Sequence, residues 1–251
     1  DTKVELGPTL RKLVTAARFN PSLPYLSFLC INFDAPVVQE AASWFLDAVF
    51  LNYNSSYLER MLEQMLDEGD SREVTRFLRA VDVRIDGFRV ERAPEWRGRR
   101  VFVRHEVGGK AYELRLSEES AGTQKLMGLA AYLMAALECG GTVVVDELDA
   151  KLHPKLLRYV ILLFKDPEVN KSGAQLIFSS QDVSTMRNDV FRRDEIWFAA
   201  RGEGEASQLW SLADIHEANG NLVSKNAAFD KQYLSGRYGA DPYLTRIEEW
   251  D

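Results

Sequence analysis

Apolar positions along this chain change their period several times, and each change marks a different expected element. From Pro36 to Asn52, the residues Val37, Val38, Ala41, Trp44, Phe45, Ala48 and Val49 fall at helical spacing, with Pro36 suited to a first turn. A second helix is expected over Ser56 to Leu66, and a third from Asp70, where Asp70 and Glu73 have capping-box spacing ahead of Val74, Phe77 and Leu78. The aromatic stripe Trp44, Phe45 and Phe50 reads as packed core rather than as a partner groove. Arg100 to Arg104, the pair Gly108-Gly109, and Tyr112 to Leu116 then alternate as a β-hairpin should. A long helix follows, carrying Leu126, Leu129, Ala130, Leu133, Met134 and Leu137 on its apolar positions. Two apolar segments, Thr142 to Val145 and Ala174 to Phe178, are separated by a helix near Pro154 and read as strands, the first of them suited to burial on both faces. This pattern predicts an α/β fold with a mostly parallel sheet. A helical lobe is expected over residues 1–90, and the sheet-bearing lobe over 91–251.

The first of those strands ends in two adjacent acids, Asp146 and Glu147, followed by Leu148-Asp149. Carboxylates at the carboxyl edge of a parallel sheet lie where α/β proteins bind ligands. One could hold Mg²⁺ while the other polarises an attacking water, as nucleoside-triphosphate hydrolysis requires. A central strand that merely ends in a solvated acidic turn is the alternative. Upstream, Ser120, Gly122 and Thr123 cluster at the start of the long helix, whose free N–H groups and positive pole make a seat for phosphate. An ordinary N-cap accounts for the same residues. The second strand has the polar tip Ser179-Ser180-Gln181-Asp182, and parallel strands would put both tips on one edge.

The order of these parts resembles the ABC-class ATP-binding proteins of the AAA type, related to the structural-maintenance and Old-nuclease ATPases, many of them encoded in bacterial phage-defence loci. The resemblance runs from roughly Val90 to Leu244. It implies a P-loop NTPase fold, with ATP and Mg²⁺ as cofactors. It also implies that Ser120, Gly122 and Thr123 form the signature motif facing ATP bound by the opposite subunit. Asp146 and Glu147 would be the Walker B acids, metal-holding and catalytic in that order, and Asp149 would belong to the dimer-contact loop. Arg193 to Phe198 looks like the strand after the switch, and Tyr233 to Pro242 resembles the family's closing motif. The implied partners are a second copy of the chain or a higher homo-oligomer, together with an effector such as a nuclease or toxin.

Two departures qualify that picture. The switch position, where the family usually has histidine, is Gln181, which can donate to phosphate or orient water but cannot carry a proton as imidazole does. In addition, the sequence holds no G-x-x-x-x-G-K-[ST] loop, and its Gly109-Lys110 pair is followed by alanine. The chain begins Asp1-Thr2-Lys3. The expectation is therefore that these residues are the carboxyl-terminal portion of a longer polypeptide whose amino-terminal lobe supplies the lysine loop. Two further readings stay open: a scaffold that binds ATP without useful turnover and restrains a toxin or nuclease, and a DNA-repair ATPase, for which no sustained heptad run is visible.

Composition sets outer limits. No apolar run approaches the roughly 20 residues needed to cross a bilayer, and no secretory leader is visible, so a cytoplasmic protein without a membrane partner is expected. The two cysteines, Cys30 and Cys139, read as core residues, and the three histidines show no ligand spacing for zinc. A net charge of −7 argues against indiscriminate coating of nucleic acid. Between Arg84 and Arg104, however, arginines outnumber acids, so the hairpin could touch nucleic acid or an acidic partner. A solvated face with local ion pairs is the simpler account.

Overall fold

The computed structural model describes residues 22–32, 34–52, 62, 66, 71–81, 83–92, 99–201, 206–217 and 220–240. In chain order these form α1 (Tyr25–Asn32), α2 (Pro36–Asp47), β1 (Val49–Leu51), α3 (Arg72–Ala80), β2 (Gly87–Arg92), β3 (Arg99–Val107), β4 (Lys110–Arg115) and α4 (Ala121–Cys139). They continue with β5 (Thr142–Val145), α5 (Pro154–Lys165), β6 (Gln175–Phe178), β7 (Trp197–Arg201), β8 (Ser207–Ser211) and α6 (Phe229–Leu234). The fold is α/β, with a parallel sheet in the order β1-β5-β6.

β5 is central in that sheet, pairing Val143 with Val49 on one side and with Leu176 on the other. Val143 and Val145 are buried on one face, whereas Val144 on the other face is only half-buried and stands in register between the exposed Phe50 and Ile177, so the strand is not covered on both faces as its valine run suggested. The helix α5 supplies the crossover that a parallel neighbour demands and returns the chain to β6.

Against this sheet lies α4, whose apolar side chains cover most of its circumference, as suits a helix packed on several sides. Leu126, Leu129 and Leu133 are all buried, and truncating any one to alanine is expected to cost about 2–5 kcal/mol. The helix is closed at its end by Gly140 at φ 80°, whose N–H donates to Ala136 O at 2.8 Å. Both ends pass close to other backbone. A Cβ at Gly122 would lie 2.7 Å from Lys151 O, and one at Gly140 would lie 2.4 Å from Ser172 O.

The antiparallel sheet β2-β3-β4 turns through Gly108 and Gly109, both at positive φ, which the two-residue hairpin requires. Val101 and Val103 face the main core together with α3 and α4 residues. Arg89, Arg104 and Glu113 share the other face, where Arg89 pairs with Glu113 at 2.8 Å and Arg104 pairs with the same carboxylate at 3.5 Å. A second cluster, built on Phe198, Leu212, Phe229 and Tyr238, packs β7 and β8 against α6, and Phe191 touches both clusters. The helix α6 closes as the sequence suggests, with Gly236 at φ 75° and Arg237 N donating back to Gln232 O.

Several expectations are corrected. The helical run from Pro36 stops at Asp47, and Val49–Leu51 becomes a strand, because pairing with β5 outweighs the helical spacing of a short apolar segment. Trp44, Phe45 and Phe50 are exposed rather than packed in the core. The N-cap of α3 is Ser71, which gives no side-chain capping bond, and Asp70, the residue expected to open the capping box, lies outside the described residues. Cys139 is exposed, at the polar end of α4, and Cys30 is half-buried. Arg193–Glu195 forms a 3₁₀ turn, and the strand after it begins at Trp197 and pairs antiparallel with β8 rather than extending the parallel sheet. The helix expected over Ser56 to Leu66 lies outside the described residues except at Leu62 and Leu66, which are helical.

Candidate functional site

The carboxyl ends of β5 and β6 lie side by side, with Val145 paired to Phe178, so Asp146 and Ser179 leave the sheet together. Ser179 Oγ donates to Asp146 Oδ1 and accepts from the Glu147 amide at 2.8 Å, while Leu148 N donates to Ser179 O at 3.0 Å. One serine thus holds both acids to the tip of the neighbouring strand. Ser179 belongs to the site although the sequence singled it out only as part of a polar tip.

Beyond the acids the chain makes a tight loop. Glu147 sits at φ 52° and Lys151 at φ 61°, left-handed conformations that cost a residue with a Cβ about 1–2 kcal/mol each. Asp149 Oδ2 accepts from the Gln181 amide at 3.2 Å, so this loop is tied to the β6 tip a second time. Asp149 Oδ1 is buried and has no hydrogen-bond partner among the described residues. Asp149 and Gln181 border a cleft of about 220 Å³ together with Leu152, Pro154, Leu157 and Asp182. Asp146 and Glu147 stand outside it, exposed at the sheet edge.

The start of α4 packs on the far side of this loop. Ser120 Oγ caps the helix by accepting from Thr123 N at 3.1 Å and exchanges a hydrogen bond with Thr123 Oγ1 at 2.8 Å. The amides of Ala121 and Gly122 find no acceptor among the described residues, so two donors at the positive end of the helix face outward. Gln124 Nε2 donates to Glu119 O at 2.7 Å, and Glu119 meets His105 Nε2 at 2.6 Å, which fixes the incoming chain to β3.

Lys125 was not among the sequence-based candidates. It is only 5% exposed, and its Nζ donates to Glu147 O at 2.6 Å and to Ala150 O at 2.9 Å. Burial pushes the ammonium down to about 8, opposed by the charges of Asp149 and Glu147. Its helical position, on one face with Gly122 at i−3 and Leu129 at i+4, does not by itself set it apart from the other polar residues near the helix start.

The geometry therefore brings Asp146, Glu147, Asp149 and Gln181 to one sheet edge and sets Ser120, Gly122 and Thr123 at the helix start behind their loop. No group of three or more histidine, cysteine or acidic side chains that could hold a metal occurs among the described residues. Mg²⁺ does not require such a cluster, since it takes one or two carboxylates and completes its shell with phosphate and water. Asp146 and Ser179 Oγ are the hard oxygen donors available at the tip.

A family model described as "AAA domain, putative AbiEii toxin, Type IV TA system" matches residues 20–187, and the chain belongs to this family of AAA-type, nucleotide-binding domains. The match begins well before Val90, where the resemblance was first placed, and ends before the segment from Tyr233 to Pro242. Among solved structures, one described as "Structural biochemistry of ATP-driven dimerization and DNA stimulated activation of SMC ATPases" is 17% identical, with a TM-score of 0.39, over 60% of this chain and 88% of that one. No curated protein matches. Among the described residues, no helix is long and apolar enough to cross a membrane.

Proposed function

We propose that this chain hydrolyses ATP as part of a head-to-tail dimer, in which its acidic sheet edge and the helix start of a second copy enclose one triphosphate. The observation that carries this reading is Ser179, which binds the Asp146 carboxylate and the Glu147 amide at once and so aligns both acids on the edge shared with Gln181. Membership of an AAA-type family supports nucleotide as the ligand. Because the two acids stand on an open edge rather than in the neighbouring cleft, a second surface has to cover them, which supports a dimer.

In this reading Asp146, with Ser179 Oγ, is the ligand set for Mg²⁺, which supplies charge neutralisation of the phosphates when bound. Glu147 orients and deprotonates the attacking water, and Gln181 donates to the terminal phosphate. Ser120, Gly122 and Thr123 present a hydroxyl and the two outward amides to the nucleotide of the partner copy, and Asp149 shapes the loop that meets it.

The family description names a toxin of a type IV toxin–antitoxin system, which supports a cytoplasmic role in which ATP turnover gates an effector in bacterial anti-phage defence. Steady-state phosphate release by the full-length protein, with and without Glu147→Gln, tests the reading. Sustained turnover abolished by the substitution is expected, and equal rates for both proteins would overturn it. Gln181 favours a second reading, a nucleotide-binding scaffold without useful turnover. Nucleotide binding with background phosphate release from the native protein would establish that instead.

A further inference from the structure

We propose that Lys125 is a positioning residue that clamps the acidic loop to the start of α4 and thereby sets the direction of the Glu147 carboxylate. This rests on the reading of Glu147 given above. Three observations carry it.

The first concerns the partners Lys125 has chosen. A buried ammonium needs strong acceptors, and these are two backbone carbonyls, Glu147 O and Ala150 O, at 2.6 and 2.9 Å. Bonds to carbonyls sense the path of the chain rather than the identity of a side chain. Glu147 O also accepts from Ala150 N at 3.1 Å, so the ammonium grips the first and fourth residues of the turn that this bond closes.

The second concerns strain. Glu147 and Lys151 bracket the turn in left-handed conformations, which persist only where surroundings enforce them. The backbone angles at Glu147 decide where its side chain leaves the sheet edge, so whatever enforces φ 52° aims the carboxylate.

The third concerns approach. The lysine reaches the loop because the helix lies against it at Gly122, where a Cβ would be 2.7 Å from Lys151 O. Gly122 and Lys125 lie one turn apart on one helix face and meet the same five-residue loop, Gly122 near Lys151 and Lys125 at Glu147 and Ala150. The helix start that faces a partner's nucleotide is thus mechanically joined to the loop that carries the general base of its own copy. Closing the dimer on one site adjusts the other.

The test uses Lys125→Met, which keeps length and apolar stem but removes the donors, in the full-length protein. Met127→Ala serves as a control that loosens the same helix without a polar contact to the loop. Two readouts are taken: amide hydrogen exchange of Leu148 and Ala150 without nucleotide, and kcat with KM for ATP. Lys125→Met is expected to speed exchange at those amides and to lower kcat about tenfold to a hundredfold, with KM moving less than about twofold. Lys125→Arg should restore part of kcat. Unchanged exchange at Leu148 and Ala150 overturns the clamp whether or not the protein turns over ATP, and an equal fall of kcat in Met127→Ala overturns the positioning role. Equal, background rates in the native and Glu147→Gln proteins would remove the ATPase reading, and the exchange result would then decide the clamp alone.

Discussion

Two charged regions of this molecule carry similar residues and treat them in opposite ways. On the hairpin sheet, Arg89, Arg104, Glu91 and Glu113 meet one another side chain to side chain on an exposed face. Glu113 is held below the usual carboxylate range by its hydrogen bond to Arg89, and the arginine is raised in turn. Around the β5 tip the ammonium of Lys125 is buried against backbone carbonyls, Asp149 keeps an unpartnered buried oxygen, and two residues sit in left-handed conformations. The first arrangement is what charges do when left to solvent. The second is costly, and such costs concentrate at working sites.

Substitutions can widen or erase this contrast. The largest effect is expected from Glu147→Gln, which should reduce phosphate release about a hundredfold or more while leaving nucleotide bound. Gly122→Ala comes next. Its Cβ would press on the Lys151 carbonyl, so the helix start must move, and an urea titration should show a loss of about 1–3 kcal/mol together with impaired turnover. Ser120→Ala removes the cap from α4 and should cost about 1 kcal/mol. It should also weaken ATP-dependent dimer formation, read by light scattering with and without nucleotide.

A pH series gives a subtler signal. Lys125 releases its proton at about 8 in the folded chain, against an ordinary value of 10.5, because burial outweighs the attraction of Asp149 and Glu147. Between those values the unfolded chain binds more protons, so this residue's contribution to unfolding free energy rises with pH across that window. Denaturation of native and Lys125→Met proteins at pH 8 and 10 should show the rise only in the native chain. Smallest of all, Glu113→Ala on the hairpin should leave the denaturation midpoint unchanged at ordinary salt. A large shift there would break the contrast.

Much of the sheet was legible because its signals are local. The valine run of β5 announces a strand, Gly108-Gly109 dictates a hairpin, and Ser120 marks the start of α4. The strand β1 was not legible, since three apolar residues continuing a helical pattern become a strand only through β5, which lies far along the chain. At the site, the spacing of Asp146, Glu147 and Gln181 could be read, but Lys125 could not. In sequence it is one polar residue among others near a helix start, and only the loop arriving 22 residues later buries it. The exposed aromatics of α2 were misread for a related reason: periodicity shows which residues share a face, not whether anything covers it.

The glycines at the two ends of α4 give the helix a property that neither has alone. With 19 residues it is a strut about 28 Å long, braced by direct backbone contact near Lys151 at the carboxyl edge of the sheet and near Ser172 at the amino edge. Between those braces it is packed along most of its length, which leaves no room to bow. A displacement at Ser120 would therefore be passed along a stiff element toward the Ser172 turn.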